Sequence, residues 1–130
     1  MGIMADAQAR LGNAAAALAI ARAGLDVAQA SGQNFWDAEL HRLVGSAQAE
    51  LAGPDDPDAE AALRRAIAVA RSQGAVSLEL RSAVSLARML SARGRGEDAR
   101  ATVSQVLARF PDAKGAECVA AQEFFAALTA

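Results

Sequence analysis

Residues 78–111 read LELRSAVSLARMLSARGRGEDARATVSQVLARFP, and this stretch decides the fold. Leu80, Ala83, Val84, Ala87 and Leu90 recur at helical spacing and form one apolar stripe. Gly94 and Gly96 interrupt the pattern, because glycine accepts the backbone angles at which a helix ends. A second stripe follows on Ala99, Val103, Val106 and Phe110, and Pro111 stops it by removing a backbone donor. Ala87 and Ala99 are small where two helices would approach closely, with Leu86, Leu90 and Val103 beside them. The stretch is a helix–turn–helix unit.

Outward from this unit the pattern repeats. Asp37–Leu51 predicts a helix with Leu40, Leu43, Val44, Ala47 and Leu51 inward. The turn GPDDP at 53–57 follows, and Asp58 is expected to cap the next helix, with Glu60 in its first turn where the dipole favours negative charge. That helix runs to Gln73 with Ala59, Leu63, Ala66, Ile67 and Ala70 inward, and Gly74 ends it. Equivalent positions of these two units lie 40 residues apart, as in Ala59/Ala99, Leu63/Val103 and Leu40/Leu80. In the first helix of the middle unit, either Gly45 or Ala47 is the close-contact position.

Upstream, aligning Gly12 with Gly94 makes residues 1–10 the last two turns of a first helix, with a turn at Gly12. Asn13–Ser31 is then a second helix with Ala17, Ala21, Leu25 and Ala28 inward, and Gly32 stops it. Gly24 in its interior costs about 1 kcal/mol against alanine and is expected at a close helix contact. This unit is 42 residues ahead of the next by Ala17/Ala59 and Gly32/Gly74. Gln33–Trp36 is a loop with adjacent aromatics, 111–115 is another, and Ala116–Leu128 is a last helix with Cys118, Ala121, Phe125 and Leu128 on one face.

These residues predict an all-α chain, an α-solenoid in which each helix pair hides its apolar face on its neighbour. The expected division is a truncated first repeat at 1–32, complete repeats at 36–74 and 77–111, and a capping helix at 115–129. The inner face of 13–31 is expected to be covered by an upstream repeat or by a second copy of the chain.

The unit resembles a tetratricopeptide repeat. Leu86, Ala87, Leu90, Gly94, Ala99, Val103, Val106 and Pro111 match that family's order of bulky, small, glycine and proline positions, with Val106 and Ala83 as departures. The runs at 36–43, 62–75 and 77–88 further resemble the helical tails of large bacterial signalling ATPases, adenylate or guanylate cyclases and related transcriptional regulators. The resemblance implies a regulatory interaction scaffold, binding a protein partner or other domains of a parent polypeptide. With no stretch near the ~20 apolar residues of a membrane span, and no basic leader before the apolar run at 14–23, the cytoplasm is the expected location. It also implies that a cyclase or ATP-binding label taken from full-length relatives would carry no activity here. No G-x-x-x-x-G-K-[ST] stretch is present to cradle a nucleotide phosphate.

Composition points the same way. The 130 residues carry 13 basic and 15 acidic groups, a net charge of −2, which makes no electrostatic case for nucleic acid or an anionic membrane. All basic residues but Lys114 are arginine. The single cysteine, Cys118, precludes an internal disulfide, and its apolar neighbours make it a buried small side chain rather than a reactive thiol. His41 is the lone histidine, with no cysteine nearby to share a metal and no nucleophile beside it. Asp55, Asp56 and Asp58 lack the glycine and terminal glutamate of a calcium loop. No catalytic residue, metal site or cofactor is expected. Arg64, Arg65, Arg93, Arg95 and Arg100 read as solvated or helix-end charges. Arg81 and Arg88 lie seven residues apart on one helix face and fall at tetratricopeptide positions that look into the concave groove. His41 and Gln48 are their counterparts 40 residues earlier, with Glu39 and Arg42 the alternatives under the other register.

Overall fold

A computed structural model of the chain describes residues 2–32, 36–110 and 115–129, with side chains from residue 12 onward except those of 116, 117 and 129. The described residues are all-helical: α1 Gly2–Ser31, α2 Asp37–Ala52, α3 Pro57–Gln73, α4 Val76–Ala92, α5 Gly96–Arg109 and α6 Ala116–Thr129. Among them no helix is long and apolar enough to cross a membrane.

Two glycines set the turns on either side of α4. Gly74 and Gly94 adopt φ of 68° and 79°, a left-handed backbone that a side chain would strain. Each closes a Schellman motif. Ala75 N–H reaches back to the Ala70 carbonyl at 2.9 Å, and Arg95 N–H to the Leu90 carbonyl at 2.9 Å, satisfying acceptors the helix end would orphan. Gly96, expected with Gly94 to interrupt the helical pattern, is instead the first residue of α5.

Two other local expectations change. The cap of α3 is Asp56, whose carboxylate accepts from Ala59 N–H at 3.1 Å, and not Asp58. Pro57 occupies the first helical position, where its missing N–H costs nothing and its fixed φ suits the helix, so the helix starts two residues earlier than a cap at Asp58 requires. Residues Gly2–Ser31 form one unbroken helix, so Gly12 is no turn. A Cβ at Gly12 would meet nothing within 4 Å, and the helix continues through it at the modest propensity cost of an interior glycine. The expected loop at 33–36 lies outside the described residues except for Trp36, which is exposed, and that at 111–115 except for Gly115.

Consecutive helices pack on one another, and α2 also touches α4, which touches α6. Among the described residues α1, α3 and α5 make no such contact with each other. The even-numbered helices therefore line up as one layer and the odd-numbered ones stand behind them. Helix α4, packed against α2, α3, α5 and α6, is the centre of the core. Leu80, Ala83, Leu86, Ala87, Met89 and Leu90 are all buried on it, facing Leu63 and Ala59 of α3 and Ala99, Val103 and Val106 of α5. Each large side chain so removed from water contributes about 1.5–3 kcal/mol. Cys118 and Ala121 of α6 join the same cluster, as their spacing predicts.

Close approach depends on glycine at two places. A Cβ at Gly45 would lie 2.6 Å from Leu63 Cγ and 3.0 Å from the Ala59 carbonyl oxygen, so α2 and α3 touch there. Ala47 is buried as well, in a smaller cluster with Ala14 and Leu18 of α1. A Cβ at Gly24 would lie 3.1 Å from Leu40 Cδ2, which is the close helix contact expected for that residue. Leu51, expected inward, is 39% exposed at the last turn of α2.

Candidate binding groove

Helices α2 and α4 lie side by side with a register of 42 residues, not 40: Arg81 Nη1 donates to Glu39 Oε2 at 2.9 Å. The same offset pairs Gly45 with Ala87 and Ser46 with Arg88. Arg42 reaches across the seam, its Nη1 3.4 Å from Ser85 Oγ, while its Nε donates to Glu39 Oε1 at 2.7 Å. Glu39 thus accepts from two guanidiniums and holds both side chains against the helix layer.

Below this lattice the layer opens into a cavity of about 800 Å³, lined chiefly by Arg42, Ser46, Glu50, Ser85, Arg88 and Met89. A hollow of about 130 Å³ continues it toward α6, between Arg42, Arg81, Arg88 and Ala120. The far wall is α6, where the Arg88 guanidinium stands 5.5 Å from the Phe124 ring centroid. A cation over an aromatic face is attracted by the ring quadrupole and stays available to a further ligand at its edge. Among the described residues no carboxylate pairs with Arg88.

The four candidates separate. Arg81 and Arg88 border the groove, Arg81 with its charge engaged by Glu39 and Arg88 exposed. His41 does not line either hollow; its Nε2 accepts from Arg65 Nε of α3 at 3.3 Å. Burial, helped by the Arg65 charge and opposed by Asp37, lowers the His41 pKa below its usual 6.5. Gln48 is half-buried and lines neither hollow. A shift of two residues turns a helix by about 200°, which moves the counterparts of Arg81 and Arg88 off the groove face. Glu39, the counterpart of Arg81 at the 42-residue offset, and Arg42 are brought to the seam, and Ser46, the counterpart of Arg88, lines the larger hollow.

Two charged clusters went unanticipated. Glu60 of α3 binds Arg64 at 2.9 Å, Arg93 at 2.5 Å and Arg95 at 3.4 Å, tying α3 to the α4–α5 turn. Arg64, Arg93 and Arg95, expected as solvated or helix-end charges, converge here, Arg93 and Arg95 from the ends of α4 and α5. The hydrogen bond from Arg64 is foremost in lowering the Glu60 pKa, with the neighbouring arginines adding to it against a burial penalty. Glu79 of α4 is 1% exposed, and its Oε2 accepts from Arg71 of α3 at 3.2 Å and from Arg109 of α5. Only the Glu60–Arg64 pair, four residues apart on one helix, has a local spacing that marks it; Arg93, Arg95 and Arg109 come from 30 or more residues away and share no local pattern with their carboxylates.

Chemically, the groove offers guanidinium donors and hydroxyls above an apolar floor. It suits holding a segment by contact. Among the described residues no group of three or more His, Cys, Asp or Glu could hold a metal ion. No family model, curated protein or solved structure matches the chain.

Proposed function

We propose that this chain is a non-catalytic protein-interaction scaffold, a stack of tetratricopeptide-like helix pairs. It serves as the regulatory helical segment of a larger bacterial signalling ATPase or cyclase, or of a related transcriptional regulator, in the cytoplasm. Its partner is a protein segment, from another chain or from its own parent polypeptide, lying along α2, α4 and α6.

One observation carries this reading: the layer of even-numbered helices leaves an open cavity of about 800 Å³ whose rim arginine, Arg88, pairs with no carboxylate among the described residues. Ligand sites are concave and mostly apolar, with a few polar groups that set orientation. Met89, Ala49 and Ala92 supply the floor here, and Arg42, Ser46, Ser85 and Arg88 the orientation.

The test is binding by the immobilised chain. Arg88→Glu combined with Arg42→Gln should abolish recovery of a protein partner while the helical circular-dichroism signal stays at the parent level. Undiminished recovery by that variant would place the partner elsewhere. A melting temperature raised by several degrees on adding ATP and magnesium would overturn the non-catalytic reading, because a ligand of the native state stabilises it.

A further inference from the structure

Helix α1 has two apolar faces, and α2 covers one of them. Ala14, Leu18 and Ala21 are buried, with Ala17, Gly24, Leu25 and Ala28 half-buried. The inner face expected to need a cover is therefore already packed. The opposite face is open: Ile20 is 71% and Val27 67% exposed, with Ala16, Ala23 and Ala30 exposed at the intervening helical positions. Arg22 and Asp26 stand along one flank of this stripe, both exposed, and neither forms an ion pair among the described residues.

We propose that this face is a self-association surface, on which two copies of the chain pair through α1 in antiparallel orientation. The charges choose the occupant and the direction. When a helix meets its own copy antiparallel, about a two-fold axis that passes between the two helices and perpendicular to both, each flank faces the same flank of the other copy. With the axis near Ala23 and Gly24, Arg22 of each copy opposes Asp26 of the other, twice over. The same axis sets Ile20 against Val27 of the other copy, and the small Ala23 at the crossing lets the helices approach. In a parallel pair the charged flank would face the flank already packed against α2, and both charges would be left without partners.

The stripe spans Ala16 to Ala30, roughly 20 Å of helix, a contact smaller than the ~800 Å² per partner of a standard interface. Association is accordingly weak and depends on protein concentration.

Sedimentation velocity of the full chain over roughly a hundredfold range of concentration reads this directly. The sedimentation coefficient should rise with concentration, and Ile20→Glu with Val27→Glu should hold it at the monomer value. Both side chains are exposed, so the monomer's helical signal should survive the change. Charge reversal then tests the pairing itself. Arg22→Asp alone and Asp26→Arg alone should each weaken self-association by about tenfold or less, as rim charges do. An equimolar mixture of the two variants should associate as the parent does, since every opposed pair is then of opposite sign. A chain that stays monomeric throughout would overturn the proposal. So would a dimer indifferent to Ile20 and Val27, or a mixture no better than its components.

Discussion

Arg81 and Glu39 lie 42 residues apart in sequence and meet at 2.9 Å, joining the exposed edges of α4 and α2. Glu39 is 16% exposed and Arg81 40%, so the pair is screened only in part. A double-mutant cycle with Glu39→Gln and Arg81→Gln should give a coupling of about 0.2–1 kcal/mol in urea unfolding. The expected value sits at the lower end if Arg42, which shares Glu39, takes up the freed carboxylate oxygen. A coupling of zero at low salt would mean that the two helices are not held in this register.

Glu79 is a different case, because its carboxylate is withdrawn from water between Arg71 and Arg109. Glu79→Ala should cost about 3 kcal/mol or more, removing the acceptor shared by three helices and leaving its space unfilled in the core. Glu79→Met should recover much of that, since a hydrophobic isostere avoids the desolvation penalty. Chemical denaturation of both variants checks the order; equal stability of the two would contradict it.

Two glycines in helix interiors should respond in opposite directions. Gly45→Ala drives a methyl group into Leu63 Cγ and the Ala59 carbonyl, and should destabilise by about 1–3 kcal/mol despite alanine's better propensity. Gly12→Ala meets open space inside α1 and should stabilise by up to about 1 kcal/mol. Thermal melts decide both, and a destabilising Gly12→Ala would restore the turn that the repeat alignment predicts there.

Stability should fall in two steps as the pH is lowered. His41 has its pKa below 6.5 in the folded chain, so the unfolded chain takes up a proton first. The contribution of neutral His41 is complete above pH 6.5 and is lost as the pH drops through the lower folded value. Glu60 behaves likewise from a reference of 4.5: its stabilisation is present above that value and disappears below it, as the carboxylate leaves Arg64, Arg93 and Arg95. His41→Asn should flatten the upper step and Glu60→Gln the lower one in denaturation series across pH 3–8. An unchanged profile in either variant would show that the group titrates alike in both states.

Of the candidate groove, the sequence revealed one wall. Arg81 and Arg88 could be placed on a common face because seven residues are two helical turns. Their counterparts on α2 could not, because the apolar pattern of DAELHRLVGSAQAEL accepts Gly45 or Ala47 as the contact position. The van der Waals surface of Leu63 decides between them, and Leu63 comes from another helix. With that choice His41 and Gln48 leave the groove, Arg42 lines it, and Glu39 holds Arg42 and Arg81 at its edge.

By itself the sequence determined the five helices after residue 36, the glycine stops at Gly74 and Gly94, and the buried stripes of α3, α4 and α5. These follow from forces acting within a few residues: the 3.6-residue period, backbone freedom at glycine, and capping. Tertiary structure alone decided that α1 runs straight through Gly12, that α2 and α4 are offset by 42, and that Glu60 and Glu79 gather arginines from distant turns. It also decided what covers the inner face of α1, which is α2. A periodic pattern states which side chains share a face, but only the shape and charge of a neighbouring helix state what that face will meet.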